Sequence, residues 1–232
     1  MFSERTRSIL RASVREFIET GNPVTSAGLY QKYDFGIKPA MIRWELHELT
    51  NREFFSQSHP SGGRIPSDRA YRFFAEGVLD SLCDEEEYGG KKARDMAGLV
   101  ASGKEVEFVK KFAAELGLLG VCFDTHAEVS WQSGFAELIR CVEAEEREHV
   151  LRVARDFEML SDRLAEDSSS WEEELELPRV FIGKSPFTKS SALSVVVGNM
   201  DRGRLLLLAI GPKRMDYERS VKLVKHLQKT YE

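Results

Sequence analysis

Apolar residues at Leu10, Val14, Phe17 and Ile18 fall at i, i+4, i+7 and i+8, with Arg7, Arg11, Arg15 and Glu19 on the other faces. That spacing predicts an amphipathic helix, stopped at Gly21-Asn22-Pro23. Thr25 or Ser26 then stands where it can cap a short second helix running to about Tyr33, because a side-chain oxygen there accepts an otherwise unpaired N–H. Asp34-Phe35-Gly36 follows as a turn, with Gly36 free to take a positive φ. Pro39 suits the first turn of a third helix, where its missing N–H costs nothing, and Ile42, Leu46 and Leu49 give that helix one apolar face. Two helices joined by a glycine-containing turn, behind a longer packing helix, form a helix-turn-helix. Phe54 to Ser58 reads as a strand, Pro60-Ser61-Gly62-Gly63 as a tight loop and Arg64-Ile65-Pro66 as a return segment, together a hairpin that would form a wing. Ser67 can cap a further helix carrying Tyr71, Phe74 and Val78 on one side.

The acidic run Asp84-Glu85-Glu86-Glu87, closed by Tyr88-Gly89-Gly90, interrupts this pattern and marks a boundary. Beyond it the pattern predicts a helix over about Glu105 to Leu116 and a strand from Leu118 to Phe123. A helical stretch from about Phe135 to Leu164 follows, with Val150, Val153, Phe157, Leu160 and Leu164 on one stripe. It is broken at Ser168-Ser169-Ser170. Three more strands are expected at Val180 to Ile182, Leu193 to Val197 and Leu205 to Ile210, the last two joined by a turn at Met200 to Gly203. Pro212 fits a strand end, and Asp216 the N-terminus of a last helix carrying Val221, Leu223, Val224 and Leu227. The fold class is α+β, in an N-terminal winged helix-turn-helix domain (1–82), a linker (83–104) and an α+β dimerisation and regulatory domain (105–232).

Charge sharpens this division. The chain of 232 residues carries a net charge of −5, which alone argues against a nucleic-acid binder. Its first 74 residues nevertheless hold 11 Lys and Arg against 8 Asp and Glu, and the excess of acid lies in the remainder. No apolar run is long enough for a membrane span, and Met1-Phe2-Ser3-Glu4-Arg5 is charged where a signal peptide is apolar, so a cytoplasmic chain is expected. Three cysteines, Cys83, Cys122 and Cys141, without a Cys-x-x-Cys pair fit neither a disulfide framework nor a zinc site.

Enzyme chemistry fares poorly. Cys122, Asp124 and His126 are neighbours in sequence, but a strand end does not make their side chains converge. Cys141 and His149 are about two helical turns apart, and Glu143, Glu145, Glu146 and Glu148 form an acidic run without a His-Glu-x-x-His pattern. Gly62-Gly63 lacks the Lys-Ser/Thr ending of a nucleotide loop. No catalytic residue, metal or cofactor is therefore expected.

The chemistry instead collects on the third helix. With Ile42, Leu46 and Leu49 inward, Ala40, Arg43, Trp44, His47 and Asn51 lie on the opposite face. Arg43 can bridge guanine O6 and N7, Trp44 can pack on a thymine methyl or sugar edge, and Lys38 beside the helix N-terminus suits a phosphate. Arg64, just after the glycines, could reach phosphate or the minor groove from the wing. A solvated helix face and a hairpin with a solvent-facing Arg would carry the same residues. A large exposed Trp is harder to read as mere surface.

Two segments resemble the heat-inducible transcription repressor (HrcA) family of bacteria. One runs from Glu19-Thr20-Gly21-Asn22-Pro23-Val24 through Tyr33 to Gly36, Pro39 to Arg43 and His59, then Gly63 to Asp68 and Tyr71-Arg72. The other is Ile210-Gly211-Pro212-Lys213-Arg214-Met215-Asp216-Tyr217-Glu218-Arg219. The resemblance implies a homodimeric, sequence-specific repressor of heat-shock and chaperone genes on an inverted-repeat operator in double-stranded DNA. It also implies a GAF-like C-terminal domain, here reduced, and a functional link to the chaperonin. Lys38, Met41 and Trp44 stand where the family usually has Ser, Thr and Asn, so these three join Ala40, Arg43, His47 and Arg64 as the expected DNA-facing residues. The runner-up is a ligand-sensing or chaperone-contacting regulator with weakened DNA binding.

Overall fold

The computed structural model describes residues 2–57, 59, 62–81, 90–141, 147–166 and 178–231. Chain contacts divide it into two compact units, Met1–Gly77 and Val78–Glu232, and the mixture of helices with one antiparallel sheet is α+β.

The first unit opens with α1 (Glu4–Thr20). Ser3 Oγ accepts the Thr6 N–H at its start, and Gly21, at φ 68°, donates its N–H to Phe17 at its end. The buried face is Ile9, Leu10, Ala12, Ser13 and Val14, while Phe17 and Ile18, expected in the same stripe, are half-buried. Helix α2 (Ser26–Lys32) is capped by Thr25, whose hydroxyl accepts the Gly28 N–H. Asp34 Oδ1 then accepts the Gly36 N–H at 2.9 Å, and Gly36 takes φ 65°, the turn that the sequence predicts. Helix α3 (Pro39–Asn51) starts on its proline and buries Ile42, Leu46 and Leu49 completely. Strands β1 (Phe55–Ser56) and β2 (Ile65–Pro66) pair antiparallel, shorter than expected. Between them Ser58, Pro60 and Ser61, the tip of the expected wing, lie outside the described residues. Helix α4 (Asp68–Ser81) follows, its start met by Ser67 Oγ, which accepts the Ala70 N–H at 3.4 Å. Tyr71, Phe74 and Val78 are buried along it.

The second unit is built on one five-stranded antiparallel sheet. Its strands are β3 (Leu119–Asp124), β4 (Val129–Ser133), β5 (Arg179–Ile182), β6 (Leu193–Met200) and β7 (Leu205–Pro212), in the order β4-β3-β7-β6-β5. Strands β3 and β6 are buried at every position and β7 at all but its last, as continuous apolar runs should be when both faces of a sheet are covered. One face carries α7 (Phe135–Cys141), α8 (Arg147–Glu158) and α9 (Leu160–Glu166). Their Leu138, Val153, Phe157, Leu160 and Leu164 pack with Phe187 on Val121, Phe123, Val195, Val197, Leu206 and Leu208. Against the sheet's remaining surface lie α6 (Glu105–Leu116) on β3 and β4, and α10 (Tyr217–Thr230) on β6, with α5 (Gly90–Ala101) beside both helices.

Three features differ from the sequence reading. The span expected as linker contains α5, which buries Ala93, Met96, Ala97 and Val100. The helical stretch expected from Phe135 is three helices. Strand β4, which was not expected, has only exposed and half-buried residues. Cys83, the acidic run 84–87, Glu143, Glu145, Glu146 and Ser168 to Ser170 lie outside the described residues, as do the side chains of Cys141, Glu148, His149 and Val150.

Candidate nucleic-acid interface

Helix α3 separates its residues as the 3.6-residue period requires. Its inner face is Ile42, Leu46 and Leu49; outward stand Ala40, Met41, Arg43, Trp44, His47 and Asn51. Trp44 is 54% exposed and Met41 46%, a large apolar area to leave in water beside a cation. Lys38 occupies the N-cap position with its side chain exposed and making no capping hydrogen bond, while its backbone carbonyl accepts the Met41 N–H at 2.9 Å. Beside Trp44 opens a recess of about 250 Å³, whose wall includes Phe2, Thr6, Glu48 and Arg52.

What fixes this helix is a carboxylate that the sequence pattern did not single out. Glu45 points inward and is only 5% exposed. Its Oε2 accepts the Thr6 hydroxyl at 3.0 Å, and its Oε1 lies 3.8 Å from Arg5 Nε. A buried carboxylate must keep such partners, so Glu45 ties α3 to the start of α1. The signal was available only as a charge in phase with the buried Ile42 and Leu46.

Arg64 is placed differently from the expectation. The sequence places it where it reaches phosphate or the minor groove from the wing, whereas the structure makes it 8% exposed at the base of the hairpin. Its backbone forms a two-bond bridge with Val24, Arg64 N–H to Val24 at 2.8 Å and Val24 N–H to Arg64 at 2.9 Å. Its Nε donates to Thr50 Oγ1 on α3 at 3.3 Å. Burial, and then the positive charge of Arg43, lower its pKa from the usual guanidinium value, so it lies within the field of the exposed Arg43. Gly63, just before it, packs against Pro23: a Cβ there would lie 2.5 Å from the Pro23 carbonyl oxygen. The glycine serves a close approach of two backbones, where the sequence suggested a permissive loop. At the other end of α3, Arg52 lies over the Phe2 ring at 5.1 Å and Arg69 over Phe54 at 4.6 Å.

The groups weighed for enzyme chemistry take structural positions. Cys122 is fully buried in β3, and its thiol is pushed up to about 12, by burial first and then by Glu105 and Asp124. Burial also pushes the Asp124 carboxyl up. The hydrogen bond from Arg204, with those from the Ala127 and His126 N–H groups, outweighs it and holds the carboxyl below the usual aspartate range. His126 is exposed. Among the described residues no group of three His, Cys, Asp or Glu side chains is placed to hold a metal ion, and no helix is long and apolar enough to cross a membrane.

These features define a class: an α+β chain whose small helical unit turns one anchored helix outward with cationic and aromatic side chains. Within it, the chain is similar, over about a third of its length, to proteins named heat-inducible transcription repressor HrcA. The HrcA protein of Carboxydothermus hydrogenoformans is 44% identical over 89 residues, covering 38% of this chain and 26% of that protein. Clostridium perfringens HrcA is 40% identical over 89 residues (38% and 26%), and Leptospira biflexa HrcA 46% over 77 residues (33% and 22%). The matched stretch therefore spans about a quarter of the length of these relatives. No family model matches the chain. Over 99% of its length the chain is similar in fold to the crystal structure of a hypothetical protein, all of which is covered, with a TM-score of 0.73 at 15% identity.

Proposed function

We propose that this chain is a cytoplasmic transcriptional repressor that binds double-stranded DNA through a winged helix-turn-helix, with α3 as recognition helix and the β1–β2 hairpin as wing. The observation that carries the reading is the outward face of α3. Arg43, Trp44, His47 and Met41 are all solvent-exposed, while the opposite face is sealed and braced by Glu45. Arg43 reads a guanine edge, Trp44 and Met41 contact thymine methyls or sugars, Ala40 and His47 complete the face, and Lys38 meets a phosphate. Arg64 supports α3 through Thr50 and adds its charge to that of Arg43. The second unit is a GAF-like dimerisation and regulatory domain, and the chain works as a homodimer on an inverted repeat, since one such module alone offers only about 600–1,000 Å² of DNA contact. Kinship with repressors named heat-inducible supports heat-shock and chaperone genes as targets, and a functional link to the chaperonin.

The test is a titration of the full chain with duplex DNA at several salt concentrations, followed by Trp fluorescence. Affinity should fall linearly on a log–log plot, with a slope of about −0.9 per phosphate contacted. A Trp44→Phe variant should lose most of the fluorescence change on binding while Trp131→Phe keeps it. No saturable binding at low salt, or a signal that survives Trp44→Phe unchanged, refutes the reading.

A further inference from the structure

In the second unit, α8, α9 and the segment after β5 enclose a cleft of about 680 Å³. The space between these helices and the sheet is filled by Val153, Phe157, Leu160, Leu164 and Phe187. A ligand of this unit therefore has room on the outer side of the helices rather than in the core. The cleft's frame is a buried ion pair. Arg163 Nη1 lies 2.8 Å from Asp156 Oδ1, and Arg163 Nη2 donates to the Asp156 and Phe187 carbonyls at 2.6 and 2.9 Å. Asp156 in turn accepts the Thr188 hydroxyl and the Lys189 N–H, fixing the 188–190 segment on α8.

Asp156 is thereby consumed, and it is the only carboxylate on the described cleft wall. The wall also carries Arg155, Lys184 and Lys189, all exposed, and none of the three has an ion-pair partner among the described residues. Arg163 Nε has no hydrogen-bond partner among the described residues either. Beside these cations lies Met159, 53% exposed. Like charges gathered around a concavity concentrate counter-ions, and a volume of this size with an exposed apolar side chain and a few charges suits a small organic molecule.

We propose that this cleft binds a small amphiphilic anion, with its carboxylate or phosphate oxygens on Lys184, Lys189 and Arg155 and its apolar body on Met159. The site is independent of α3 and does not rest on the DNA-binding reading.

Phenyl phosphate is the probe for calorimetric titration of the full chain, with benzyl alcohol and inorganic phosphate as partial mimics. Phenyl phosphate should bind one site per chain with a Kd at or below about 1 mM, and benzyl alcohol should not bind. The pair Lys184→Gln and Lys189→Gln, both on exposed residues, should weaken phenyl phosphate by about tenfold or more at unchanged melting temperature. Met159→Ser should weaken phenyl phosphate and leave inorganic phosphate unchanged. Absence of saturable binding, or equal binding by the double variant, overturns the proposal. So does a double variant that loses affinity for duplex DNA but not for phenyl phosphate, since the cleft would then be a nucleic-acid contact. Arg43→Ala should leave phenyl phosphate binding as it is, which separates this test from that of the DNA reading.

Discussion

Replacing Gly63 by alanine should damage the helical unit out of proportion to one methyl group. A Cβ at this position would lie 2.5 Å from the Pro23 carbonyl oxygen, 2.6 Å from its carbon and 2.7 Å from the Pro23 Cβ. The first two are backbone atoms, and Val24, the next residue, is held to Arg64 by bonds of 2.8 and 2.9 Å. Restoring ordinary contact requires a separation of about 0.9 Å, which carries those two bonds beyond the usual 2.7–3.2 Å range. Two backbone hydrogen bonds at about 0.5–1.5 kcal/mol each give a cost of about 1–3 kcal/mol, the same range that overpacking costs where the backbone holds instead. At about 2 kcal/mol, a unit of this size should melt roughly 8–16 °C lower. Circular dichroism on heating gives the shift, and amide exchange gives its place, since the Val24 and Arg64 N–H groups should lose protection together. Gly62→Ala is the control, because its Cβ would meet nothing nearer than the His59 carbonyl oxygen, at 3.2 Å. The reasoning is refuted if Gly63→Ala melts within about 1 °C of the parent with both amides still protected.

Other expectations follow from single residues. Asp216 Oδ1 accepts the Arg219 N–H at 2.9 Å, so Asp216→Ala should cost about 1 kcal/mol in urea unfolding while Asp216→Asn costs little; equal losses would deny the cap. Gly98 lies exposed in α5 with open space where a Cβ would go, and Gly98→Ala should raise stability by about 0.5–1 kcal/mol; a lowered urea midpoint would contradict this. Asp124 has its folded pKa depressed, chiefly through Arg204 against the opposing effect of burial. Its contribution is therefore fully present above the ordinary aspartate value of about 4 and is lost as pH falls through the lower folded value. Asp124→Asn should be less stable than the parent at neutral pH, with the gap closing in acid; a gap that does not change with pH would show that the charge contributes nothing.

How much of this was legible in the sequence depended on whether local chemistry or distant pairing decided the outcome. Thr25, Gly36, Pro39 and Asp216 act within four residues of themselves, and each stands in the turn or cap expected of it. The outward face of α3 followed from period alone, since Ile42, Leu46 and Leu49 leave Arg43, Trp44 and His47 nowhere else to point. Strand β4 did not follow: its Val129 to Ser133 run is short, with only Val129 and Trp131 apolar and neither buried, and it exists because β3 offers it an edge. Helix α5 was hidden by its glycine-rich and charged start, although Ala93, Met96, Ala97 and Val100 hold the helical spacing. Arg64 was misplaced because the two glycines before it suggested an exposed tip. Its burial is set by Val24 and Thr50, 40 and 14 residues away.

The central claim is that α3 meets DNA with Arg43. It is tested most directly by comparing Arg43→Ala with Lys111→Ala, which removes one exposed cation from α6, in titrations of the full chain against its preferred duplex. Loss of a bidentate base contact should weaken binding by about 1–3 kcal/mol and relax preference at one base pair per half-site, while Lys111→Ala binds as the parent does. Equal affinities for parent and both variants, or equal losses from the two, would contradict the account.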